Sequence, residues 1–242
     1  MIAISSFPDL INAVVCLLCA YKIWGTIHAH PEFHDRDRAL SFMWTYFCLS
    51  ATYALFGLPV VFFPENSLLL GWTFIFAHLG FVFAIANFAT IPVSFYRPHW
   101  RNATFNCMVV VGLLLIALMV SRFSYPVFDS ATQIIDWNLD STVGLAIAVF
   151  FLGVLVPAIG FFAFQAGRSH LPAVKVRSLL LSFGLLFLVI GTVLFYAVSF
   201  TAKFLVVNLV SVVGFLFVLV SIYYKSTRVD ASSEEPPQTI HL

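Results

Sequence analysis

The polar side chains that could carry chemistry in this sequence are few, and most sit inside long apolar runs. His78 lies about midway along one such run with Asn87 further along it, and Asn12 and Asn208 lie in the outer parts of the first and last runs. Ionisable and strongly polar groups are expensive in lipid, so each is a candidate for binding or proton chemistry by default. For His78 that chemistry is proton response or ligand contact, because an imidazole titrates near neutrality in water. The simpler use of all four is an interhelical hydrogen bond, about 0.6–2 kcal/mol, that holds helices together. Asp9 falls close enough to the end of its run to be solvated.

Richer constellations fail on count or placement. A zinc hydrolase needs three or more His, Asp or Glu converging near one interface, yet His28, His30, His34, His99 and His170 fall in connecting loops and His241 in the tail. His28, His30, His34 and Asp35 read as solvated, and no metal is expected. A b-type haem needs paired histidines on two helices, and only His78 is inside a run. A retinal protein needs a lysine in the middle of its last helix with carboxylate counter-ions, but Lys203 is at one end and no Asp or Glu lies mid-run. Gly-x-Ser-x-Gly and Walker signatures are missing, and no repeat of broken helices suggests a transporter. Cys16-Leu-Leu-Cys19 has no second cysteine pair beside it, so these two, Cys48 and Cys107 read as small hydrophobes. The expectation is a non-enzymatic protein with no cofactor.

The elements that must position these residues follow from composition. The chain has 242 residues, of which 61% are hydrophobic and 10% charged, with a mean hydropathy of +0.99; soluble domains carry roughly a quarter charged residues. Twenty-eight Phe suit lipid-facing and interhelix surfaces. The 12 Lys and Arg nearly balance 11 Asp and Glu, leaving no basic field for nucleic acid, which is excluded as a partner. The lipid bilayer is the partner composition names.

A spanning helix needs about 20 mostly apolar residues, which predicts an all-α membrane protein, a seven-transmembrane-helix bundle with helices at about 7–26, 39–63, 68–94, 103–121, 142–165, 175–199 and 203–224. Pro64-Glu65-Asn66-Ser67 and Thr201-Ala202-Lys203 supply the least obvious splits. The first run lacks the basic leader of a secretory signal and reads as a retained helix. The bundle is expected to fill residues 1–225, and residues 226–242, with Glu234-Glu235-Pro236-Pro237, to form a disordered cytoplasmic tail.

Retained positive charge marks the cytoplasmic side. With the N-terminus outside and the C-terminus inside, Lys22, Arg36, Arg38, Arg97, Arg101, Arg168, Lys175, Arg177, Lys225 and Arg228 are inside, and only Arg122 and Lys203 are outside. A wrong helix count would scramble this bias. Asn102-Ala103-Thr104, a glycosylation pattern, then faces the cytoplasm and reads as chance. The outer connection 122–141 alternates Asp129, Asp136 and Asp140 with apolar residues; an amphipathic piece on the outer interface is preferred there over a ligand lid.

Small residues mark the packing faces. Ala77, Gly80, Ala84, Asn87 and Ile91 recur at helical spacing along one stripe of the third helix, which is expected to sit centrally. Gly184 and Gly191 do the same on the sixth helix, and Ser211, Gly214 and Ser221 on the seventh. Pro157, between Gly153 and Gly160, is the expected mid-membrane kink.

Phe74-Ile75-Phe76-Ala77-His78-Leu79-Gly80 leading to Phe95-Tyr96, and Lys175-Val176-Arg177 leading into Leu181-Ser182-Phe183-Gly184, resemble the seven-transmembrane sensor region of bacterial histidine kinases and related signalling proteins. The resemblance covers residues 1 to about 225 in outline and carries over no ligand residues. It implies a sensor-like or receptor-like module of a bacterial inner membrane that passes a signal to a separate cytoplasmic signalling protein. A structural or accessory subunit of a membrane complex, and a small carrier for an apolar molecule, are the other readings.

Overall fold

In lipid a backbone must satisfy its own hydrogen bonds, so each long apolar run closes as a helix. The computed structural model describes residues 6–29, 35–197 and 203–224. Within them lie α1 (Ser6–Ala29), α2 (Arg36–Phe62), α3 (Ser67–Tyr96), α4 (Arg101–Ser121), α5 (Ser141–Arg168), α6 (Pro172–Ala197) and α7 (Lys203–Tyr223), with a 3-10 turn at Pro98–Trp100. Seven helices are long and apolar enough to cross a membrane, and the chain is a multi-pass membrane protein. The expected tail 226–242, the split at Thr201-Ala202, and His30 and His34 lie outside the described residues.

The helices pack as a closed ring. α1 lies against α2, α2 against α3, α3 against α5, α5 against α6, α6 against α7, and α7 returns to α1. α4 stays outside this ring on the flank of α3 and buries only Gly112 and Met119. α3 therefore has ring neighbours on two sides and α4 on a third.

The small-residue stripes set the closest crossings. A Cβ at Gly184 would sit 2.8 Å from the Gly214 carbonyl oxygen, and one at Gly191 would sit 3.0 Å from Ser211 Oγ. The same α6–α7 crossing continues to Ser221, whose hydroxyl donates to the Arg177 carbonyl at 3.0 Å. Between α2 and α3, Thr52 lies on Gly80 and its hydroxyl donates to the Ala77 carbonyl at 3.2 Å. The stripe on α3 is divided in use, because Ala84 faces the interior cavity and Asn87 is only half-buried. α5 runs unbroken through Pro157, which is exposed together with Gly153 and Gly160, so any bend there is on the lipid side.

The two ends of the bundle differ. One end gathers Arg36, Arg38, Arg97, Arg101, Arg168, Lys175 and Arg177 near the starts of α2, α4 and α6 and the ends of α3 and α5. Arg101 there pairs with Asp37 at 2.9 Å and donates to Ser41 Oγ at 3.2 Å, and Ser41 accepts from Thr90 at 3.0 Å. Arg177 donates twice to the Tyr224 carbonyl, at 3.1 and 2.7 Å. Arg38 pairs with Asp35 and stacks over Phe95.

The other end carries a hairpin, β1 (Val127–Asp129) paired antiparallel with β2 (Ile134–Asp136). Asp129 organises its turn, accepting from Ala131 N–H at 2.9 Å and the Thr132 hydroxyl at 2.7 Å. Those bonds, the Thr132 hydroxyl foremost, hold its carboxyl below the ordinary value. Gln133 closes the turn with φ of 56°, its N–H on the Asp129 carbonyl at 2.8 Å. Strand alternation turns Ile135 and Trp137 inward and Asp136 outward. The connection 122–141 thus does more than rest on an interface, since Ile135 and Trp137 are buried in the mouth of the bundle.

Candidate functional site: a central aromatic cavity

The ring of six helices does not fill its own axis. A cavity of about 130 Å³ runs down it, walled by α2, α3, α5, α6 and α7, with Asp9 as the contribution of α1. The wall extends along α2 from Thr45 to Val60, roughly 20 Å at the helical rise. Its sides are rings set edge to face or tilted: Tyr53 to Phe215 at 5.4 Å, Phe81 to Phe151 at 5.5 Å, and Phe56 to Phe81 at 6.0 Å. Edge-to-face contacts of this kind are favoured between rings, and the space they surround stays unfilled along the axis.

Trp137 covers the hairpin end. Its indole stacks on Phe74 at 4.8 Å and meets Phe56 at 5.6 Å, and it lines the cavity from above. Helix α5 begins directly behind it. Asp140 caps that start by accepting from the N–H of Thr142 and of Val143, at 2.9 and 3.1 Å, with Arg122 at 3.5 Å. The Val143 bond first, then Thr142 and Arg122, hold the Asp140 carboxyl below its ordinary value, against the opposing effect of burial.

His78 stands behind this wall rather than in it. Its Nδ1 donates to the Phe74 carbonyl at 2.9 Å, and its Nε2 is 2.9 Å from the Tyr196 hydroxyl. A carbonyl can only accept, so Nδ1 carries a proton, which in the neutral ring leaves Nε2 to accept from the Tyr196 hydroxyl. Tyr196 faces the cavity, so this bond ties α3 to the wall on α6. Phe56 and Phe81 pack against the imidazole at 5.7 and 6.1 Å.

The other polar positions separate. Asn208 and Ser211 line the cavity from α7, and Tyr53 lines it from α2. Asn87 donates to the Phe83 carbonyl of its own helix at 2.9 Å and joins neither cavity nor neighbour. Asn12 is wholly buried and its amide has no partner among the described residues. Asp9, expected to be solvated, lines the cavity instead, because the first turns of α1 pack on Gly57 of α2. Cys16 and Cys19 are buried as free thiols, and no group of three or more metal-binding side chains occurs among the described residues.

Asn208 and Ser211, singled out by the sequence, line the cavity with His78 behind it, whereas Trp137, Tyr53 and Tyr196 carried no such mark and Asp9 read as solvated. One signal was present. Ile135 and Trp137, flanking Asp136, show the period of two that marks a strand with one covered face. No family model matches the sequence, and no curated protein matches it at a meaningful level of similarity.

Proposed function

We propose that this protein is a non-enzymatic sensor-like or receptor-like membrane module in which a small, largely apolar molecule occupies the central cavity. Its occupancy shifts α5, α6 and α7 against α1, α2 and α3, and a separate cytoplasmic partner reads the change at the basic end. The observation that carries this reading is the aromatic cavity closed by Trp137. Concave, mostly apolar clefts and cavities with a few convergent polar groups are the usual form of small-molecule sites. The His78–Tyr196 bond supplies a link across the two helix groups that a ligand beside Tyr196 would strain or relieve. The basic residues support placing that end in the cytoplasm of a cell membrane, with the N-terminus outside; the resemblance to sensor regions favours a bacterial inner membrane.

The test measures distances between spin labels at Tyr96 on α3 and Lys175 on α6, in a Cys107→Ser background, with benzyl alcohol as the probe. The expected result is a shifted distance distribution with the probe, abolished by Ala84→Leu, which fills the cavity. Saturable binding with no shift in distance would remove the sensor reading and leave that of a carrier, for which the same cavity is the binding place.

A further inference from the structure

Among the described residues Asp9 is the one carboxylate in the cavity wall. It lies in the first turn of α1, faces Tyr53, and makes no hydrogen bond or ion pair with another described residue. The positive end of the α1 dipole eases its charge by partial charges only. Of the two basic side chains at this end, Arg122 is held by Asp140, and that of Lys203 lies outside the described residues, as does the chain's amino terminus.

The surroundings of Asp9 make that arrangement specific. Ring faces carry negative potential, which disfavours a bare carboxylate among them and attracts a cation. Carboxylate and aromatic wall oppose each other in an empty cavity and complement each other once a positive charge lies between them. An ionisable group inside a spanning segment and facing a cavity marks a ligand path. Metal ions are a poor match, since no second carboxylate stands beside Asp9 and hard cations take several oxygen ligands. An ammonium group with an apolar substituent satisfies both parts.

We propose that the cavity binds an organic ammonium ion, with its charge against Asp9 beneath Trp137 and its apolar part among Phe56, Phe81 and Phe151. The cavity volume of about 130 Å³ is close to that of an apolar cavity of about 150 Å³ that holds benzene, which limits the apolar part to a single ring and leaves the ammonium group to sit against Asp9 at the wall. This rests on the cavity being the ligand site.

The experiment compares benzylammonium with benzyl alcohol, a neutral probe of the same shape, by titration calorimetry on the full chain in lipid nanodiscs. The wild-type protein is expected to bind the ammonium more tightly than the alcohol. Asp9→Asn is expected to weaken the ammonium about tenfold or more, because it removes one partner of a buried charge pair, and to leave the alcohol within about twofold. Equal binding of both probes by wild-type protein, or binding of the alcohol alone, would overturn the ammonium proposal and leave the cavity reading standing. Binding of neither would end both. The wild-type preference stands as a test even if Asp9→Asn fails to fold. Lys203→Gln is expected to leave the preference unchanged; a preference found only in that variant would show that the native chain already neutralises Asp9, and would overturn the proposal.

Discussion

The α6–α7 crossing and the central cavity are built from the same apolar composition, and they solve packing in opposite ways. At the crossing, glycine and serine remove side-chain bulk, so Gly184 meets Gly214 backbone to backbone and nothing is left between the helices. Around the axis, α2, α3, α5 and α7 present rings at centroid distances of about 5.4 to 6.0 Å and space remains. Close approach buys van der Waals contact where no hydrophobic drive exists between lipid-embedded helices. Rings give up part of that contact and gain a volume that a molecule can fill. One region fixes the fold, and the other holds the cavity.

Three substitutions or conditions sharpen that contrast. Gly184→Leu is expected to have the largest effect, about 3 kcal/mol of destabilisation, since backbone rather than a flexible side chain blocks the new Cβ. Thermal unfolding of the purified protein measures it, and a change within error would remove the crossing as a fixed point. Tyr196→Phe is expected to cost about 1–2 kcal/mol, because His78 Nε2 is left buried without its partner, while the helical content stays intact. An undiminished midpoint in that variant would sever the proposed link between α3 and α6.

The smallest effect is acid dependence at the hairpin end. The Asp140 carboxyl lies below its ordinary value, chiefly through the Val143 N–H. Its contribution is therefore complete above the unfolded value of about 3.9 and is lost as pH falls through the lower folded value. The midpoint is expected to be flat in this respect from neutral pH to about 5 and to decline below about 4, with Asp140→Asn reducing the decline. Asp129, lowered mainly by the Thr132 hydroxyl, acts in the same direction. An acid response that Asp140→Asn and Asp129→Asn leave untouched would place its origin elsewhere in the bundle.

Much of the fold was legible because lipid makes few demands and makes them strictly. Run length located the seven helices, and Gly184, Gly191, Ser211 and Gly214 marked a crossing that the structure assembles from two separate stripes. The site was less legible. His78 was visible as a polar residue in an apolar run, but its partner Tyr196 is 118 positions away on a helix whose facing residues no local pattern reveals. Asn87 carried the same signal as His78 and turned out to bond its own helix. Pro157 marked a bend and faces lipid.

The sequence by itself determined that the chain crosses a membrane with seven helices, that one end is basic, and which residues are small enough for backbones to touch, because each of these depends on composition within one segment. Only the tertiary structure decided that Asp9 looks inward, that Trp137 closes the axis, and that α4 stands outside the ring. Those depend on how helix faces are rotated against one another. In a bundle apolar on every side, hydropathy does not fix that rotation, and the fit of rings and small residues does.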